Sequence, residues 1–185
     1  MALAWRGTKQ EGMRRFDRQG DAGRAIAGGI VAGVLAGLVL NVVMAALMVA
    51  TGGDLWLALK GAGAPFLGDR ASQPGYDPLA IAAGLAGHYF VSIGWGVLFG
   101  LFVYGLDRTV TVLAGAAYGL VVWLAMFWLV LPLVGLRAMS EHGASGMAVL
   151  THVIFGLALG VGFLPFQVSR RYPGERRRAR TPVLP

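Results

Sequence analysis

Three polar side chains, Asn41, His88 and His152, interrupt long apolar stretches, and they are the groups through which this chain could bind or react. A buried amide or imidazole left unpaired costs about 1–3 kcal/mol, so each must find a partner. Asn41 and His88 therefore predict a hydrogen bond between helices. His88 and His152 lie on segments that run in the same direction, so they could also serve as axial ligands of a haem b held inside a helical bundle. In a third reading His88 relays protons in a small transporter or proton-conducting protein. Glu141 and His142, with His152 or Asp54, supply ligand types suited to zinc or iron, but they lack the i, i+4 spacing of a helical metal motif and no metal ligand is assigned. No nucleophile stands beside a base and no phosphate-binding loop is present. Ser92, four residues after His88, belongs to a row of small residues. The chain reads as non-enzymatic, with no resident cofactor unless the histidines hold haem.

The surroundings of these residues indicate a membrane protein. Of 185 residues, 56% are apolar and only 14% charged; a soluble domain has roughly 25% charged residues. The 29 glycines lie within apolar stretches and not in a polar tract, which excludes disorder as their explanation. There is no cysteine, so disulfides, thiolate metal sites and iron–sulfur clusters are ruled out. The net charge of +7 does not indicate nucleic-acid binding, because the basic residues sit at the ends of apolar segments.

The predicted fold is all-α and integral to the membrane. About 20 helical residues cross a hydrocarbon core, and four segments reach that length: 25–51, 79–106, 109–136 and 147–167. None carries a formal charge. Residues 1–24 form a basic leader, 52–78 a connection between the first two spans, and 168–185 a basic tail. Arg and Lys crowd the leader, the turn at Arg108 and the tail, whereas the opposite side has only Lys60, Arg70 and Arg137. The positive-inside rule then places both termini in the cytoplasm of a bacterial cell, with anionic lipid headgroups as partners of the basic ends. The leader is expected to lie on the membrane surface as a short amphipathic helix. In the 52–78 connection, Asp54 is expected to cap a short helix through Leu59 that puts Trp56 at headgroup depth.

Small residues four apart share a helix face and let backbones approach where lipid gives no hydrophobic drive to associate. The first span has Gly29, Gly33, Gly37 and Asn41. The second has Gly84, His88, Ser92, Gly96 and Gly100, the third Gly115 and Gly119, and the fourth His152, Gly156 and Gly160. Aligning His88 with His152 also aligns Gly96 with Gly160, which suggests a tandem two-helix repeat.

Trp123-Leu124-Ala125-Met126-Phe127 leading to Leu131-Pro132-Leu133, together with the 152–160 segment, resembles uncharacterised four-helix bacterial inner-membrane proteins of the YagU-like sort. That resemblance implies topology and no activity. The reading that best accommodates these features is a non-catalytic accessory subunit, packed through its glycine-rich and aromatic faces against other membrane subunits. Small helical subunits are common in respiratory and photosynthetic electron-transport complexes, the class of assembly expected here.

Overall fold

The computed structural model describes residues 2–141 and 145–168, with residues 2–20, 138 and 139 described by backbone alone. The elements are α1 (Ala2–Ala50), α2 (Leu55–Lys60), α3 (Ala64–Leu67), α4 (Pro78–Val103), α5 (Arg108–Ala125), α6 (Leu131–Leu133), α7 (Arg137–Ser140) and α8 (Gly146–Phe163). Four stretches are long and apolar enough to cross a membrane: Asp21–Ala50, Pro78–Val103, Arg108–Leu133 and Gly146–Phe166. The protein is thus a multi-pass helical membrane protein. In place of a separate surface helix, the leader continues the backbone of the first span from Ala2 without a break.

Local chemistry explains where these helices begin. Asp77 accepts hydrogen bonds from the Leu79 and Ala80 N–H groups and is followed by Pro78, so α4 starts with both an N-cap and a proline whose missing donor costs nothing there. Asp107 caps α5 through Thr109 N–H, and Ser145 caps α8 through Ala148 N–H. The π turn Met126–Val130 interrupts the third span just before Pro132. A proline has no N–H and its ring crowds the carbonyl four residues back; here the Leu131 N–H reaches Met126 O, five residues back, and the wider turn makes room.

Helix α1 packs against both α4 and α8. One stripe, Gly29, Gly33 and Gly37, faces α4, where a Cβ on Gly33 would sit 2.6 Å from Ser92 O. A second stripe, Gly28 and Ala32, faces α8, where a Cβ on Gly28 would meet the Phe163 ring at 2.7 Å. Helices α5 and α8 form the other tight pair, with Gly115 and Gly119 against the backbone at Gly156 and His152. The two crossings have the same pattern of backbone contact, but in that pattern Gly96 corresponds to Gly156 and Ser92 to His152. This register is one turn away from the histidine-aligned one.

Phe99, Phe155, Leu159 and Phe163 fill the interior, flanked by Tyr118 and Trp95. At the end formed by the α4–α5 turn, Gln167 closes the bundle. Its Nε2 donates to Val103 O (2.8 Å) and Thr111 Oγ1 (2.6 Å), and its Oε1 accepts from Gly105 N–H. Gly105 makes this turn with φ +83°, a conformation that favours glycine.

Candidate functional site

The predicted polar residues divide between the two helix pairs. His88 stands at the α1–α4 crossing and donates from Nε2 to Gly37 O at 2.9 Å. A carbonyl only accepts, so this contact requires the proton on Nε2 and leaves Nδ1 of the neutral ring as a lone-pair acceptor. The expected Asn41–His88 hydrogen bond is not formed. Asn41 is 8% exposed and its Nδ2 has no partner among the described residues, because His88 engages the backbone one turn earlier in α1. A buried donor without a partner costs about 1–3 kcal/mol.

His152 belongs to the other pair. Its Nδ1 donates to Ala148 O in its own helix at 2.8 Å, and its ring meets Phe127 edge-on with centroids 5.7 Å apart. Phe127 lies in the π turn, so the proline-driven widening of the third span positions the ring against which His152 packs.

This arrangement does not fit a bis-histidine haem. Helices α4 and α8 meet through Phe99 and Phe163, with ring centroids 6.1 Å apart, each the same number of residues beyond its histidine. Depth therefore matches, but direction does not: His88 faces α1 and His152 faces the α5 side. Among the described residues no group of three His, Asp or Glu side chains could hold a metal ion; His142 lies outside them. Asp54, the other suggested ligand, is committed to the Trp56 and Gly75 N–H groups.

The most elaborate polar structure is one that sequence reasoning treated as a connector. Residues 53–77 fold into a collar around the ends of α1 and α4, and Lys60, fully buried, holds it together. The Lys60 ammonium donates to Gln73 O and to Gly75 O, the latter at 2.8 Å. Asp54 grips the same corner by accepting from Gly75 N–H while it caps α2, as the sequence indicated, through Trp56 N–H. These two N–H groups hold its carboxyl below the usual range. Trp56 also packs edge-on against Tyr76, 4.9 Å between centroids. The collar rests on glycine: a Cβ on Gly87 would be 2.6 Å from Ala62 O, and one on Gly84 would strike the Leu59 carbonyl. The small-residue row of the second span thus serves two partners, the collar through Gly84 and α1 through Ser92, Gly96 and Gly100.

Arg70 closes the collar onto α4 with two hydrogen bonds to Asp77, at 2.7 and 3.1 Å. The Arg70 hydrogen bond, then the Ala80 N–H, lower the Asp77 pKa to about 2. A carboxylate depressed in the folded state stabilises it fully above the ordinary value of 3.8 and loses that contribution as pH falls through the folded value. Titration of Asp77 by NMR in detergent micelles should therefore give a midpoint near 2 that rises toward the ordinary value in Arg70→Gln. Equal midpoints in the two proteins would show that the ion pair does not form in solution.

Lys60 and Gln167 could have been suspected from sequence only as polar residues next to spans, a signal too common to single them out. The Asp-Pro pair before α4 was the stronger hint. Comparison with protein-family models, with curated proteins and with solved structures finds no match, so function has to be read from this geometry.

Proposed function

We propose that this chain is a non-catalytic accessory subunit of a bacterial inner-membrane complex, with both termini cytoplasmic, and that partner helices dock on α5 and the π turn that follows it. The observation that carries this reading is the asymmetry of burial among the spans. Helix α1 buries two stripes, whereas α5 buries one, Thr111, Gly115, Gly119 and Val122. The rest of the third span presents Leu113, Leu120, Val121, Leu124, Trp128 and Leu129 outward. Trp128 is 57% exposed yet held edge-on against Trp123 at 5.0 Å. A large aromatic fixed in place before binding loses little entropy when a partner covers it. Cytoplasmic termini are supported by the crowding of Arg and Lys at the terminal end.

Photocrosslinking amino acids placed at Leu124, Trp128 and, as a control on α4, the exposed Phe90 test this in native membranes. The expected result is one discrete protein adduct from Leu124 and Trp128 and only lipid adducts from Phe90. Lipid adducts at all three positions, together with a lone chain on native electrophoresis, would exclude the accessory role. The adduct's identity names the complex, with electron-transport assemblies the first to be searched.

A further inference from the structure

We propose that the collar is a re-entrant hairpin whose apolar limb, residues 55–67, dips into the hydrocarbon of the leaflet on its own side and presents Phe66 to lipid acyl chains. The depth is set by what the limb touches. Asp54, at its top, accepts from Gly75 N–H, three residues before α4 begins at Pro78. By Lys60 the chain has descended to the level of Gly84, where a Cβ would lie 2.7 Å from Lys60 Cα, and by Ala62 to that of Gly87, where a Cβ would lie 2.6 Å from Ala62 O. The 6 residues of α2 are about 9 Å long, the same as the distance along α4 from Pro78 to Gly84. The whole of α4, 26 residues, measures about 39 Å against about 30 Å of hydrocarbon. Even a hydrocarbon layer that began as far back as Val103, with charged Asp107 and Arg108 just outside, would extend about 20 residues along α4, to Gly84. Centred on the helix, it leaves Gly87 about 9 Å inside.

The chemistry of the segment divides at the same depth. Residues 55–67 are apolar apart from Lys60, whereas 68–77 include Asp69, Arg70, Ser72, Gln73 and Asp77. The Phe66 ring reaches the level of Gly87, where a Cβ would be 3.6 Å from it, and Phe66 is 73% exposed; Phe90, about one turn further along α4, is 81% exposed. Two open phenylalanines at this level fit acyl chains. Backbone groups in hydrocarbon must be satisfied within the protein, and the limb is accordingly a succession of helical turns: Gly61 N–H donates to Leu57 O, Ala64 N–H to Gly61 O and Gly68 N–H to Ala64 O. Lys60 follows the same logic. Its ammonium turns back from the bottom of the hairpin to Gln73 O and Gly75 O in the polar limb, so the charge is drawn toward the headgroups while the aliphatic stem stays deep.

The chain has no cysteine, so a nitroxide can be attached at one exposed position at a time, in Phe66→Cys, Phe90→Cys and Gln73→Cys, and the full chain studied in vesicles of phosphatidylethanolamine and phosphatidylglycerol. Oxygen concentrates in hydrocarbon and a nickel chelate stays in water, so the ratio of their collision rates with the label reports depth. That ratio is expected to be severalfold higher at Phe66 and Phe90 than at Gln73. A ratio at Phe66 equal to that at Gln73 makes the segment a surface connector and overturns the proposal; protection of Phe66 from both reagents means protein covers it in place of lipid and overturns it equally. The unmodified chain supplies a second reading that no substitution can disturb. Lipid carrying a nitroxide on its acyl chain should broaden the amide NMR signals of Ala62, Ala64 and Phe66 severalfold more than those of Ser72, Gln73 and Tyr76, and equal or reversed broadening overturns the hairpin.

Discussion

Gly96→Ala and Gly156→Ala are each expected to destabilise the bundle by about 2 kcal/mol, within the range for overpacking a close-packed site. A Cβ on Gly96 would strike Gly29 O and lie 2.7 Å from the Gly33 Cα; one on Gly156 would strike Gly115 O and lie 2.8 Å from the Gly119 Cα. In both cases the obstacle is backbone, which cannot move aside as a side chain can. The helices must separate and lose close packing along the whole crossing, where lipid offers no hydrophobic compensation. The two glycines are in different helix pairs, so the double variant should lose about 4 kcal/mol by additivity. Gly94→Ala is the control, because a Cβ there meets nothing within 4 Å, and relief of glycine's entropy should leave stability unchanged or raised by about 0.5–1 kcal/mol. Reversible unfolding in mixed micelles measures all four proteins. Equal effects of Gly94→Ala and Gly96→Ala would mean that helix propensity, and not the crossing, decides stability.

Lys60→Met should release the collar while leaving the spans packed. Methionine keeps most of the aliphatic volume but removes both hydrogen bonds from the ammonium to Gln73 O and Gly75 O. Hydrogen bonds from charged donors are worth about 1.5–3 kcal/mol each, and exposed carbonyls recover part of this from water, so a local loss of about 2 kcal/mol is expected. Amide hydrogen exchange should quicken roughly thirtyfold over residues 61–76, the equivalent of that energy, and remain unchanged in α5 and α8. Unchanged exchange in the collar would show that its contacts with Gly84 and Gly87 suffice without the lysine.

Much of the architecture was legible in the residues. The four spans needed only the length of apolar runs, and the small-residue rows needed only the four-residue periodicity of a helix. Asp54 was recognisable as a cap because a cap acts on its own next turn. The partners of the polar groups were not legible. The rows offered Asn41 to His88, yet His88 took the Gly37 carbonyl; they offered His88 to His152, yet each imidazole turned toward its own helix pair. Lys60 counted only as one of three basic residues on the side opposite the termini and proved to be fully buried.

The difference is one of scale. Hydrophobicity, capping and periodicity are properties of a residue and its near neighbours, so the chain alone determined which segments span, where they start and which face of each must be buried. A hydrogen bond tolerates only a few tenths of an ångström, whereas sliding one helix past another by a single turn moves its groups about 5.4 Å while keeping the same face buried. The close approach of α1 to α4 and of α5 to α8, glycine against backbone, sets that register, and with it the tertiary structure alone decided that Asn41 Nδ2 stands without a partner among the described residues, that His88 and His152 are separated, and that the 53–77 segment folds around a buried lysine.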